Sequence, residues 1–486
     1  MAMEIISIYK SEKYFDFPLR PAQRSAFNAL QLFVKDRSAK VFILNGYAGT
    51  GKTTLMSGFV KWLNEQKHIY AQLASTGRAA KVLSDKTGEG ATTIHSLIYV
   101  FKDLDDDLET MDAQQTDFAV DDKGQISLVF DVKAIQSSAN KIYIIDEASM
   151  VSDIAGTSVS FAQYGSGKLL SDLFAYDPNG KFIFVGDPCQ LPPIGQSSSP
   201  SLSKDYIVQK FDYHTRQFEL TEIVRQHSAN GIIKASFLLR KQHETNPSVK
   251  FAFFQFKNFS DITIHNSHAN LLNEYIRYIK QHGFDAATLL CQTNRHCTDL
   301  NKIIRASLGK DEHQLEKGDI LMVTQNNYIT GLVNGDVVEV VGKGSREMRC
   351  GLIFLNVQVR EISGTKVYSL YLIEDILHSV STNLDQKQHK DLMIDYFRRM
   401  KALGIHQKSP VFNERMLYDP YLNALKAVYG YALTCHKAQG GEWDEVFLYL
   451  DNKIHGIPKP GIYQWMYTAV TRARKKLHMV NDWFIK

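Results

Sequence analysis

Residues 46–53 read Gly46-Tyr47-Ala48-Gly49-Thr50-Gly51-Lys52-Thr53, after the apolar run 41–44 and before a helix-forming stretch that starts at Thr54. A short buried strand, a glycine turn and a helix in that order fit GxxxxGK[ST] in full. The glycines let backbone N–H groups curl around an anion. Lys52 reaches the β- and γ-phosphates, the Thr53 hydroxyl suits Mg²⁺, and the helix N-terminus favours the phosphate charge. The unit predicts nucleotide binding in an α/β fold, with its site at the carboxyl ends of parallel strands.

Two more strands are expected to end at that edge. Residues 142–145 lead into Asp146 and Glu147; Asp146 suits the metal, usually through water, and Glu147 suits the attacking water. Residues 182–186 lead into Asp187 and Gln190, on a loop stiffened by Pro188, Pro192 and Pro193. A glutamine there senses a γ-phosphate by hydrogen bonding without changing the local charge.

The 486 residues allow about three domains. With 44% apolar and 22% charged residues the chain has the balance of a globular protein that needs no disulfide or metal staple. No run approaches the roughly 20 apolar residues of a membrane helix, and the first residues lack a signal peptide's pattern, so the expected location is cytoplasmic and off the membrane. The net charge of +4 is too small to imply a nucleic-acid partner. Five scattered cysteines form no CxxC; Cys291 and Cys297 flank His296 closely but lack a second cluster at zinc-site spacing.

Further segments fall in a fixed order: LRPAQRSAF (19–27), ASTGRAAKVL (74–83), TTIHSL (92–97), IIDEASM (144–150), VGDPCQLPPIG (185–195), LTEIVRQ (220–226), YALTCHKAQGGEWDEV (431–446) and YTAVTRARKKL (467–477). With the phosphate loop they resemble the superfamily 1 DNA helicases of the 5′→3′ branch, the RecD/Dda-like group. The resemblance spans residues 19 to 477, and GDPCQLPP and HKAQGGEWD favour RecD/Dda over the related telomere and mitochondrial helicases.

The resemblance implies two tandem RecA-like parallel-sheet cores with ATP between them, a β-hairpin inserted in the first and a small SH3-like β-barrel in the second. The expected first core is 1–98 with 136–235, the hairpin 99–135, the second core 236–315 with 422–486, and the barrel plus a helical tract 316–421. Gln23 would read adenine and Glu442 the ribose, while Gly46, Tyr47, Ala48, Gly49, Thr50, Gly51, Lys52, Thr53 and Thr54 hold the nucleotide. Arg225 and Arg472 would be the phosphate-contacting arginines from opposite sides of the cleft. Arg474, two residues past Arg472, is expected to be turned away by a helix.

For DNA, Thr76, Gly77 and Arg78 lie just past the strand 69–74, and Thr93 and His95 follow the next helix. Short polar side chains and backbone N–H groups suit phosphate oxygens. Each has a plainer reading as well: a helix cap for Thr76, a packed imidazole for His95. Thr434, His436 and Lys437 would form the matching grip on the second core. Asn326, Asn327 and Tyr328 read as a weaker DNA-face candidate or a turn. Residues 103–122 carry nine acidic side chains and no basic one. The Asp121-Asp122-Lys123-Gly124 turn that follows sits where the family has its wedge hairpin, so an exposed Phe118 or Phe130 would stack on the last base pair.

The implied activity is ATP-dependent 5′→3′ translocation and unwinding, with ATP and Mg²⁺ as cofactors. Single-stranded DNA and strand junctions are the expected partners, with single-strand-binding, replication or repair proteins beyond them, and the chain would work as a monomer. The alternatives are a translocase that displaces bound proteins and unwinds weakly, or a DNA-binding subunit of a repair complex with residual ATPase.

Overall fold

The computed structural model describes residues 12–104, 108, 128–135, 140–155, 162–222, 231–327, 329–362, 364–379 and 381–486. Phe118, the 121–124 turn, Arg225 and Tyr328 lie outside them. Among the described residues no helix is long and apolar enough to cross a membrane.

The chain-order strands are β1 (Val41–Gly46), β2 (Tyr70–Ala74), β3 (Ala91–Thr93), β4 (Tyr99–Leu104), β5 (Leu128–Val132), β6 (Ile142–Asp146), β7 (Ala162–Tyr164), β8 (Lys181–Gly186), β9 (Thr215–Leu220), β10 (Ile262–His265), β11 (Ala287–Cys291), β12 (Ile320–Val323), β13 (Val337–Arg349), β14 (Leu352–Glu361), β15 (Val367–Ile373), β16 (Ala427–Tyr429), β17 (Ala432–Thr434), β18 (Trp443–Leu448) and β19 (Ala473–Val480). The first core is a parallel sheet in the order β3-β2-β6-β8-β1-β9. β1 and β8 are buried along their whole length, which is why they read as unbroken apolar runs rather than alternating ones. The second core is another parallel sheet, in the order β10-β19-β18-β11-β17.

β4 and β5 pair antiparallel, as a hairpin requires, and β7 adds to β5 in parallel. This small sheet leans on the helical tract of the other insertion. Leu108 packs into a cluster with Met393, Tyr396 and Phe412, and its N–H donates to the Gln407 amide oxygen at 3.0 Å. The second insertion is a five-stranded antiparallel sheet, β15-β14-β13-β12-β16. β13 carries bulges on either side of Gly342 and Lys343, which let so long a strand coil. Leu425 N–H donates to Tyr371 O and Ile373 N–H to Leu425 O, so the segment just before β16 bridges back to β15 at the other edge of the sheet. Helices Gln386–Ala402 and Pro410–Tyr418 fill the tract before the chain returns.

The two cores are not separate bodies of apolar packing. One cluster joins Leu433, Val446, Trp465 and Phe484 of the second core with Tyr47, Cys189 and Leu191 of the first. At its centre runs helix Gly461–Val470, with nearly every residue after Gly461 buried. A helix apolar all round is stable only between two layers, and here it sits under its own sheet and against the loops at the carboxyl edge of the first.

Candidate nucleotide site and interdomain seam

The phosphate loop leaves β1 at Gly46 and enters helix Lys52–Glu65 at Gly51. Gly49 and Gly51 both hold φ near 80°, a conformation glycine adopts at no steric cost. A Cβ on Gly46 would meet the Lys52 side chain at 2.8 Å. Lys52 Nζ donates to Gly46 O and to Tyr47 O, the latter at 3.2 Å, so the ammonium is curled inside the loop. Thr50 is fully buried, and its hydroxyl donates to Tyr47 O at 2.8 Å. Thr53 is half-buried in the first helical turn and Thr54 exposed. Tyr47 is strapped from outside: its hydroxyl donates to Glu219 Oε1, and the Arg240 guanidinium lies 3.4 Å from its ring centroid.

Gln23 is buried, with both ends of its amide in use. It accepts from Arg20 N–H at 3.2 Å, closing the start of helix Pro21–Lys35, and donates to Thr50 O at 3.3 Å. It braces the loop from the first helix.

Asp146 ends β6 and accepts from Glu147 N–H at 2.9 Å. Burial, and then the neighbouring Glu147 carboxylate, push its pKa up to about 6 against the pull of Lys52. Glu147 holds φ 48°, a left-handed backbone rare outside glycine, and its carbonyl accepts from the Ser75 hydroxyl at 3.2 Å. Strain of this kind in a carboxylate beside a phosphate loop points to function. Gln190 follows β8 and is buried, with no hydrogen-bond partner for Oε1 among the described residues. Such an orphan acceptor is costly unless something else donates to it, and a water held at a γ-phosphate fits. The cradle, the ammonium, the carboxylate pair and the orphan amide therefore fit a nucleoside triphosphate, with Thr53 and Asp146 the residues placed for a cation. Among the described residues no cluster of three or more His, Cys, Asp or Glu side chains forms a separate metal site.

The second core meets this edge through helix Gly461–Val470. Leu191 N–H donates to the Thr468 hydroxyl at 2.9 Å, Gln439 Nε2 to Leu191 O at 3.1 Å, and Gln464 Nε2 to Gln190 O at 3.4 Å. Tyr467 accepts from Ala48 N–H and donates to Asp187. Arg472 is buried, its donors held within the second core by Thr468 O at 3.0 Å, Gly441 O at 3.2 Å and the Thr471 hydroxyl at 3.3 Å. A finger role requires the guanidinium to leave these acceptors. Glu442 is exposed between buried Gly441 and Trp443. Arg474 sits on β19, not on a helix; it is paired with Asp444 at 3.1 Å.

The expected DNA face differs from its sequence reading in several places. Gly77 is covered: a Cβ there would collide with Val333 of the barrel insertion at 2.0 Å. Arg78 stacks on the Trp443 ring at 4.4 Å rather than facing an open groove, and burial lowers its pKa to about 10. Thr76 and Thr93 cap helices, accepting from Ala79 N–H and Ser96 N–H at 3.2 Å and 3.1 Å. His95 is a packed imidazole between Tyr99 and Tyr164, its pKa lowered by burial. Asn327 is a buried turn residue whose amide donates to Asn423 O at 2.6 Å. Phe130 is not an exposed wedge. It is 8% exposed and stacks on Tyr164 at 4.7 Å, because an aromatic ring gains more from that contact than from water. Thr434 and Lys437 do come together, lining one depression with Asn301, Lys302 and Tyr429 between the second core and the barrel. His436 is half-buried beside them, and burial lowers its pKa.

Tyr467, Asp187 and Trp443 carry the seam and had no assigned role in the sequence reading; Tyr47, expected to hold the nucleotide, is strapped to Glu219 and Arg240. Tyr467 and Trp443 lay inside matched segments, but only tertiary contacts show what they touch.

The AAA domain family matches residues 18–254, and the UvrD-like helicase C-terminal domain matches 429–480. The chain is 23% identical over 484 residues to the ATP-dependent DNA helicase dda of Enterobacteria phage T4, covering 94% of this chain and 98% of that one. It is 22% identical over 475 residues to the ATP-dependent RecD2 DNA helicase of Deinococcus radiodurans, covering 95% of this chain and 50% of that longer protein. A crystal structure of Pif1 helicase from Bacteroides in complex with ADP-AlF3 and ssDNA aligns over 97% of this chain and 94% of that one, at 17% identity and a TM-score of 0.49. With the AAA domain matched on the first core, the UvrD-like helicase C-terminal domain on the second and the phage helicase dda matched over 98% of its length, the chain belongs to the superfamily 1 DNA helicases, related to the RecD and Dda types.

Proposed function

We propose that this superfamily 1 helicase couples ATP hydrolysis to 5′→3′ movement along single-stranded DNA and to unwinding of the duplex ahead. One observation carries the reading: the phosphate loop, the Asp146-Glu147 pair and the Asp187–Leu191 loop converge on one sheet edge, and a buried helix of the second core closes over them. A nucleotide there lies where two rigid cores meet, the geometry in which ligand binding becomes domain motion.

Lys52 and the loop amides hold the phosphates, and Thr53 with Asp146 would hold Mg²⁺, which would neutralise phosphate charge. Glu147 takes the proton of the attacking water, Gln190 orients that water through its free acceptor, and Arg225 and Arg472 stabilise the transferring phosphoryl group. Glu442 serves the ribose, and Gln23 reads the adenine only with the remaining N–H and lone pair of an amide that also braces the loop. Thr434, His436 and Lys437 grip the DNA backbone, so affinity falls with salt rather than with sequence.

Polarity is tested with fluorescent duplexes bearing a single-stranded tail on one strand. Unwinding of the 5′-tailed duplex alone supports the reading, whereas unwinding of only the 3′-tailed one contradicts it. The burial of Phe130 favours a second reading, a translocase that displaces bound proteins with weak unwinding, since one of the two expected wedge rings is not available to a base pair. Efficient single-turnover unwinding of a bare tailed duplex would exclude that reading.

A further inference from the structure

Tyr467 belongs to the second core, yet its hydroxyl lies in the first. It is 1% exposed; Ala48 N–H of the phosphate loop donates to it at 2.9 Å, and it donates to Asp187 Oδ2 at 2.7 Å. Asp187 is held from its other side by Cys189 N–H, which donates to Oδ1 at 3.0 Å. One oxygen thus touches both the loop after β1 and the loop after β8. The neighbouring contacts from this helix, by Gln464 and Thr468, reach only Gln190 and Leu191. Among the described residues, Tyr467 makes the hydrogen bond that ties helix Gly461–Val470 to the phosphate loop.

We propose that Tyr467 is the positioning residue through which occupancy of the phosphate loop is passed to the second core; this rests on the motor reading above. Ala48 N–H is one of the amides that curl around an anion. A phosphate oxygen is a stronger acceptor than a neutral phenol, so an arriving triphosphate competes with Tyr467 for that donor. The phenol keeps its bond to Asp187 and loses its hold on the loop. The helix is then released from the phosphate loop while it stays bonded to the loop after β8, so it can shift against the phosphate loop, and Arg472, just past its carboxyl end, moves with it. The ligand acts by favouring one of two arrangements of the seam, as any coupling between a site and a domain interface must.

The test places a donor and an acceptor dye on exposed positions of the two cores and follows energy transfer as a non-hydrolysable ATP analogue is added. Tyr467→Phe keeps the ring and its packing and removes only the hydroxyl. The expected result is that a fluorescent ATP analogue still binds the variant while the analogue-driven change in transfer falls about fivefold or more, the scale of one hydrogen bond in an equilibrium constant. Thr468→Val, which deletes the neighbouring bond to Leu191, leaves that change near the wild-type value. A wild-type change in Tyr467→Phe, or equal losses in the two variants, overturns the proposal. The motor reading fails separately, by wild-type ATP hydrolysis that ignores single-stranded DNA, because the dye measurement uses no DNA.

Discussion

In the proposed mechanism Glu147 and Lys52 act on different steps, and single substitutions separate them. Glu147→Gln keeps the size and hydrogen-bonding reach of the side chain but removes the base. It should retain ATP binding, measured with a fluorescent analogue, and lose about 10²-fold or more of the hydrolysis rate, measured by phosphate release. A variant that hydrolyses at the wild-type rate would move the base elsewhere. The placement of Lys52, Asp146 and Glu147 at one sheet edge was legible because each follows an unbroken apolar strand, a purely local signal. Tyr467 was not. Its meaning comes from an amide 419 positions away and a carboxylate 280 positions away, and no window along the chain contains either. Arg78 and His95 show the converse. Both chemistries suit DNA phosphate, but an exposed guanidinium and a stacked one have the same sequence, and the choice is made by Trp443 and by Tyr99 with Tyr164.

Between elements, two buried polar links should dominate stability. Arg305 on helix Asn294–Ser307 pairs with Asp319 just before β12, at 3.1 Å from Nε and 3.0 Å from Nη2, and Tyr431 donates to the same carboxylate at 2.8 Å. Both charges are almost fully enclosed, so Arg305→Ala strands a carboxylate between the second core and the barrel and should cost about 3–5 kcal/mol in urea denaturation. A loss under about 1 kcal/mol would mean water reaches Asp319, as for a surface pair.

His478 on β19 contacts Glu445 on β18 at 2.9 Å and His265 on β10 at 3.0 Å, and stacks on Phe447. Burial, then Lys476 and His265, depress its pKa to about 3 against the pull of Glu274. Above the ordinary histidine value it is neutral whether folded or unfolded. As pH falls below that value the unfolded chain takes up a proton the folded one refuses, and stability is lost progressively toward the folded pKa. At about pH 5 the loss from this group is about 2 kcal/mol. His478→Gln should shrink the stability difference between about pH 7 and pH 5 by that amount; an unchanged difference would contradict it.

The elements themselves were mostly legible. Strands β1, β6 and β8 were announced by the apolar runs 41–44, 142–145 and 182–186, but Arg474, expected to be turned away by a helix, lies on β19. Helix Gly461–Val470 stops at Val470 and β19 starts at Ala473, too close for the change of period to show.

Across the whole molecule, two parallel sheets share one apolar cluster, and the nucleotide loop lies against it. The hairpin sheet and the barrel insertion also touch, through Leu108 and the helical tract, and the barrel reaches the first core through the Lys81–Glu361 ion pair and Val333 over Gly77. The two-core plan was legible from the order of the motifs; the contacts between insertions were not, because each is made by short segments far apart in sequence. On the proposed function, ATP turnover and DNA occupancy are properties of one assembly rather than of two separate sites. The measurement that bears most directly on this is steady-state ATP hydrolysis with and without single-stranded DNA, with Lys52→Ala beside it. The account predicts hydrolysis strongly stimulated by DNA and nearly abolished in the variant. Hydrolysis that is lost with Lys52 but indifferent to DNA would contradict it, leaving a nucleotide site that drives no DNA motor.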